Sequence, residues 1–264
     1  MTENRWPDLW QRLLSALVLA GLGITAVILG GLPFAAFIAA LTGVMVWELA
    51  RIATGNAGYA FGLAIVSGLL LFFEPGGYRI ALTVLILGIP LIISMLATDH
   101  KLQVGLFAVM VAASGFVMEI LRFDLGLVWV LWLVLVVIAT DVAGYFAGRT
   151  FGGPKFWPSI SPQKTWSGVI AGWIAAALVG VIFDGGSLGV LAVLSMLVSF
   201  ASQMGDIAES SVKRRFAVKD SSNLIPGHGG FLDRFDAMIA ATLLLGVLNL
   251  ILPDGLHFFD MAWQ

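Results

Sequence analysis

Residues 125–148 read LGLVWVLWLVLVVIATDVAGYFAG, and their only charge is Asp141. At about 1.5 Å per helical residue, a run of this length crosses the roughly 30 Å hydrocarbon layer of a bilayer. Eight similar runs flank it, at about 12–31, 33–51, 59–73, 79–97, 103–121, 168–184, 187–204 and 237–252. The pattern predicts an all-α, polytopic membrane protein of nine transmembrane helices, organised as one domain over 1–264. Gly30-Gly31-Leu32-Pro33, Glu74-Pro75-Gly76-Gly77 and Asp184-Gly185-Gly186 break the runs as turns. The run at 59–73 is short and requires local thinning of the bilayer.

Composition points the same way. The chain is 59% hydrophobic and 11% charged, whereas a soluble domain is about 25% charged. The absence of cysteine excludes a disulfide framework, a thiolate metal site and a cysteine nucleophile. The opening MTENRWPDLWQRLL mixes charges before a long apolar run and carries no clear small-residue cleavage site, so a retained first span is expected rather than a signal peptide. The net charge of −2 says little about partners, and no nucleic acid is expected.

Positive charge sets the expected orientation. With the N-terminus in the cytoplasm and sides alternating, Arg5, Arg12, Arg51, Lys101, Arg149, Lys155, Lys164, Lys213, Arg214, Arg215, Lys219 and Arg234 all face the cytoplasm. Only Arg79 and Arg122 face out, which is the bias that positive-inside insertion produces. The C-terminus then lies outside, and two long polar connections, 149–167 and 205–236, share the cytoplasmic side.

Residues 206–236, DIAESSVKRRFAVKDSSNLIPGHGGFLDRFD, hold 10 of the 30 charged residues of the chain. Asp206, Glu209 and Lys213 are spaced i, i+3, i+7, one face of a helix continuing from the eighth span, with Ser210 close to it. Asp233 and Asp236 repeat the i, i+3 spacing at the start of the ninth. Carboxylates gathered at a membrane boundary repel one another unless protonated or held by a cation. Hard oxygen ligands of this kind suit Mg²⁺, which takes one or two carboxylates together with substrate phosphates. Between the acids lies Ile225-Pro226-Gly227-His228-Gly229-Gly230, followed by a predicted helix start. Glycines let backbone N–H groups turn towards an anion, and a helix N-terminus adds a positive field. Bases for polyphosphate, acids for metal and a phosphate-sized turn point to phosphoryl or nucleotidyl transfer. In the other connection Asp141, Tyr145 and Arg149 share a helix face, and Lys155 and Lys164 are placed to meet phosphate. Trp157 and Trp166 suit base stacking or interfacial anchoring equally. Glu48 with Arg51, and Glu119 with Arg122, read as i, i+3 ion pairs.

These residues resemble a known family. Ser210-Ser211-Val212-Lys213-Arg214, Lys219-Asp220 and Ile225 through Asp236 are similar to the signature of phosphatidate cytidylyltransferases, the CDP-diacylglycerol synthases. Asp141 through Arg149, Ser161-Pro162-Gln163-Lys164-Thr165-Trp166-Ser167-Gly168, and Gly205-Asp206 with Glu209-Ser210 resemble three further segments of that family. The likeness is strong over 136–240, which marks a catalytic core behind an N-terminal helical part, 1–135. Ser167, Gln163 and Ala237 depart from the residues common there, Glu, Lys and Ser respectively.

The resemblance implies that CTP and phosphatidic acid give CDP-diacylglycerol and pyrophosphate, in phospholipid biosynthesis at a bacterial inner membrane. It implies Mg²⁺ held by Asp206, Asp233 and Asp236, with Asp141 a fourth candidate, and leaves a second cation and a homodimer open. Lys164, Lys213, Arg214 and Lys219 would neutralise phosphate, and His228 with Gly229 and Gly230 would clasp one. Glu209, Asp220 and Arg234 complete the expected catalytic set. Two alternatives are a CTP-dependent polyprenol kinase, which needs a base for a neutral hydroxyl, and a cation-coupled transporter, which places acids near the bilayer midplane.

Overall fold

The computed structural model describes residues 9–73, 79–184, 189–227, 229–252 and 255–258. They form a helical bundle: α1 (Leu9–Leu29), α2 (Gly31–Thr54), α3 (Ala57–Phe72), α4 (Arg79–Thr83), α5 (Ile89–Leu96), α6 (Lys101–Phe123), α7 (Leu127–Phe151), α8 (Trp166–Phe183), α9 (Val190–Arg215) and α10 (Leu232–Ile251). A π-helical turn, Val84–Gly88, joins α4 to α5 just ahead of Pro90, which cannot donate to the ladder. Among the described residues α2, α6, α7, α8, α9 and α10 are long and apolar enough to cross a membrane, and Leu13–Leu29, Ala57–Phe72 and Ala81–Leu96 are shorter apolar helices. The turns expected at Glu74–Gly77 and Gly185–Gly186 lie outside the described residues, as does His228.

Within the polar connection 149–167, β1 (Lys155–Trp157) and β2 (Ser161–Thr165) pair antiparallel across residues 158–160. Its base is closed by Ser167, in the first turn of α8, whose hydroxyl donates to the Gly152 carbonyl at 2.5 Å. Thr165 caps α8 by accepting from Gly168 N. The helix expected to start just after the glycine turn does so: α10 begins at Leu232, and Asp233 and Asp236 lie in its first two turns.

The interior is apolar with a thin polar seam. Trp129 and Trp132 are fully buried edge to face, and Trp132 donates to Ser195 on α9 at 3.0 Å. Further towards the charged end, Thr140 and Ser199 link the same two helices at 2.8 Å. Inside a bundle, such pairs satisfy polar groups that lipid cannot.

Long-range hydrogen bonds gather several chain segments at one end of the bundle. Thr98 N meets the Ala53 carbonyl, Arg215 meets His100, Lys164 meets the Gln203 carbonyl and Arg51 meets the Ser221 carbonyl. Ser15 on α1 reaches the Pro226 carbonyl at the same end. At the opposite end Arg122 donates to the Val27 and Ile28 carbonyls, satisfying the C-terminus of α1.

Candidate active site

The charged residues at the gathered end separate into two groups. The first is a closed clamp. Lys213 lies between two carboxylates, Glu209 at 2.6 Å and Asp233 at 2.6 Å, and these side chains are 12%, 1% and 5% exposed. Asp233 also accepts from Ser221 N, from the Ser221 hydroxyl at 2.9 Å and from Gly230 N at 2.7 Å. Both of its oxygens are therefore engaged by protein donors. A buried ion pair of this kind fixes geometry, and removal of one member leaves an uncompensated charge.

The second group is open. Asp206 meets Lys164 at 2.5 Å, with the two side chains 35% and 23% exposed, and accepts from the Ser210 hydroxyl. Asp141, on α7, interacts electrostatically with both Lys164 and Asp206. Asp236 interacts with Asp206, Lys213 and Asp141. Gly205 makes this approach feasible, because a Cβ there would strike the Asp236 carbonyl where α10 crosses α9. Thus Asp233 is bound into the clamp, whereas Asp236, three residues on, interacts with members of both groups.

Two cavities share a wall at this end, and Asp141 lines one of them, whereas Asp206 and Asp236 line neither. One, of about 750 Å³, is lined almost wholly by apolar side chains of α1, α2, α6, α7 and α10, and its polar edge carries Asp141 and Arg234. The other, about 390 Å³, is lined by Lys219, Asp220, Asn223, Arg234 and the turn residues Ile225, Pro226, Gly227 and Gly229. Ile225 and Arg234 belong to both walls. The turn is pinched by Ile225 N donating to the Gly229 carbonyl at 2.9 Å, with Gly227 and Gly229 at φ 73° and 84°. Only glycine adopts such angles without strain. Arg214 is exposed at the end of α9 and lines neither cavity.

Glu48 and Arg51 are not the surface ion pair that their spacing suggests. Glu48 is fully buried and accepts from the Ser221 and Ser222 hydroxyls and from Phe231 N and Leu232 N. Arg51 lies over the Trp47 ring and donates to the Ser221 carbonyl at 2.7 Å. Asn223, too, enters the site without a sequence signal.

Among the described residues no three acidic or histidine side chains converge closely enough to hold an ion unaided. The mutual repulsion of Asp141, Asp206 and Asp236 still favours a cation between them. Mg²⁺ usually draws part of its shell from substrate phosphates, so a site completed by a nucleotide fits these residues.

Comparison with known proteins supplies the context. The profile of the cytidylyltransferase family matches residues 10–252. The chain is similar to the phosphatidate cytidylyltransferase of Brucella suis, at 38% identity over 94% of this chain and 95% of that one. It is similar to the enzymes of the same name from Pseudomonas aeruginosa, at 34% identity over 90% and 96%, and Bacillus subtilis, at 33% over 88% and 94%.

Proposed function

The chain belongs to the cytidylyltransferase family, and from that premise we propose that it makes CDP-diacylglycerol from CTP and phosphatidic acid at a membrane. The observation that carries this reading is the shared wall: an apolar cavity and a polar cavity meet at Ile225 and Arg234, beside Asp141. The apolar cavity suits acyl chains that stay in the bilayer while their phosphate reaches the polar edge. The polar cavity, with Lys219, Arg234 and the glycine turn, suits a triphosphate.

The chemistry follows from these placements. An oxygen of the phosphatidate headgroup attacks the α-phosphorus of CTP, and the bond from that phosphorus to the β-phosphate oxygen breaks. Pyrophosphate leaves with that electron pair. The nucleophile is already an anion at neutral pH, so no strong base is required. The barrier lies in bringing two anions together and aligning them. Lys164, Lys219 and Arg234 offset that repulsion, and Asp141, Asp206 and Asp236 would hold Mg²⁺. The bound ion would neutralise charge developing on the phosphates. Asp233, Glu209 and Lys213 would fix the surrounding backbone.

The charged end faces the cytoplasm in this reading, since 12 of the 14 Lys and Arg residues fall there. A reporter inserted near Phe216 is then inside and one fused after Gln264 outside. Both on one side would refute nine spans.

The direct test of the reaction uses purified protein, CTP labelled at the α-phosphate, phosphatidic acid and Mg²⁺. Label should enter the lipid fraction with equimolar pyrophosphate release. Release of CDP with phosphorylation of a lipid alcohol would instead identify a polyprenol kinase.

A further inference from the structure

Glu48 lies on α2, more than 170 positions from the loop it touches, and lines neither cavity. Its two oxygens grip both ends of one segment. At the start, Ser221 and Ser222 donate their hydroxyls at 3.1 and 2.5 Å. At the finish, Phe231 N and Leu232 N donate at 3.0 and 2.6 Å. These two amides open α10, where orphan N–H groups and the helix dipole favour an anion. One turn along α2, Arg51 holds the Ser221 carbonyl. The neck is tight enough that a Cβ at Gly230 would strike both the Ser221 hydroxyl and the Glu48 carboxylate. Between the gripped ends run Asn223, Ile225, Pro226, Gly227 and Gly229, which line the polar cavity.

We propose that Glu48 is a positioning residue for the nucleotide: by fixing the neck of the 221–232 loop it sets the shape of the polar cavity that receives the triphosphate. The inference rests on the cytidylyltransferase reading of that cavity. A carboxylate suits this neck because two backbone amides and the Ser222 hydroxyl donate to it, while the Ser221 hydroxyl shares its one proton between Glu48 and Asp233. Glutamine would offer one oxygen and turn an NH₂ group towards the remaining donors.

The test is the steady-state kinetics of Glu48→Gln and Ser222→Ala, with CTP and phosphatidic acid varied separately. Glu48→Gln should raise the KM for CTP by at least about tenfold and leave the KM for phosphatidic acid within about twofold. Ser222→Ala removes one of the four donors and should move the CTP KM in the same direction by about threefold. In the double variant the two effects should combine to less than their product, because they act through one contact. A merely structural Glu48 would instead reduce the amount of active enzyme with both KM values unchanged, and that result overturns the proposal. If Glu48→Gln fails to accumulate, Ser222→Ala decides: an unchanged CTP KM refutes the inference. Wild-type enzyme inactive with CTP and phosphatidic acid would sink the functional reading itself, an outcome separate from either.

Discussion

The closed clamp of Glu209, Lys213 and Asp233 and the open group of Asp141, Lys164, Asp206 and Asp236 are both built from acids and a lysine, and both draw on α9 and α10, the open group adding Asp141 from α7 and Lys164 from β2. They differ in what satisfies them. In the clamp, protein donors occupy both oxygens of Asp233, and its three side chains are nearly buried. In the open group, Asp206 pairs with Lys164 and remains 35% exposed, Asp236 accepts from Ala237 N, and Asp141, Asp206 and Asp236 repel one another. A carboxylate bound into several protein donors holds geometry, whereas one with fewer is available to a substrate or ion. Residue type alone therefore does not assign a role at this site. The number of donors does.

The comparison breaks first at Lys213. Lys213→Ala would leave Glu209 and Asp233 buried without their shared cation, a loss of about 3–5 kcal/mol. Poor accumulation, or a clearly lowered thermal midpoint in detergent, is the expected outcome. A normal midpoint would mean that the clamp is not structural. Asp206→Asn probes the other side. It should reduce turnover by at least about 10²-fold, the scale of one lost electrostatic contact in a transition state. Its midpoint should stay near wild type, because the Lys164 contact is partly exposed and contributes little stability.

The smallest effect is expected outside both groups. Ser167 closes the base of the β1–β2 hairpin through one hydrogen bond to Gly152. Ser167→Ala should cost about 1 kcal/mol and leave turnover within a few-fold. A severe loss of turnover in well-folded protein would give Ser167 a direct role.

The apolar runs lie in helical segments, because hydrophobicity is a local property, but the run 79–97 is split into α4, a π turn and α5, and among the described residues six helices are long and apolar enough to cross a membrane. The i, i+4 contact of Glu209 with Lys213 was legible for the same reason. Glu48 was not. Its partners lie 173 to 184 positions away, and sequence spacing offered only its neighbour Arg51. Nor did spacing separate Asp233 from Asp236, since an i, i+3 pair shares a face but not partners. Asp233 accepts from Gly230 N and Ser221, while Asp236 accepts from Ala237 N and interacts with Asp206 on α9. The β1–β2 hairpin carries its own sequence signal: Phe156-Trp157 before Pro158-Ser159 is strand followed by turn.

That pair of aspartates offers the most direct test. Asp233→Asn and Asp236→Asn, purified side by side, would be compared for thermal midpoint and for transfer of label from α-labelled CTP to phosphatidic acid with Mg²⁺. Asp236→Asn should keep the wild-type midpoint and lose at least about 10²-fold in transfer. Asp233→Asn should show a lowered midpoint, whatever activity it retains. Near-normal transfer by Asp236→Asn, or a midpoint loss in it matching that of Asp233→Asn, would contradict the division between an open, reacting group and a closed, supporting one.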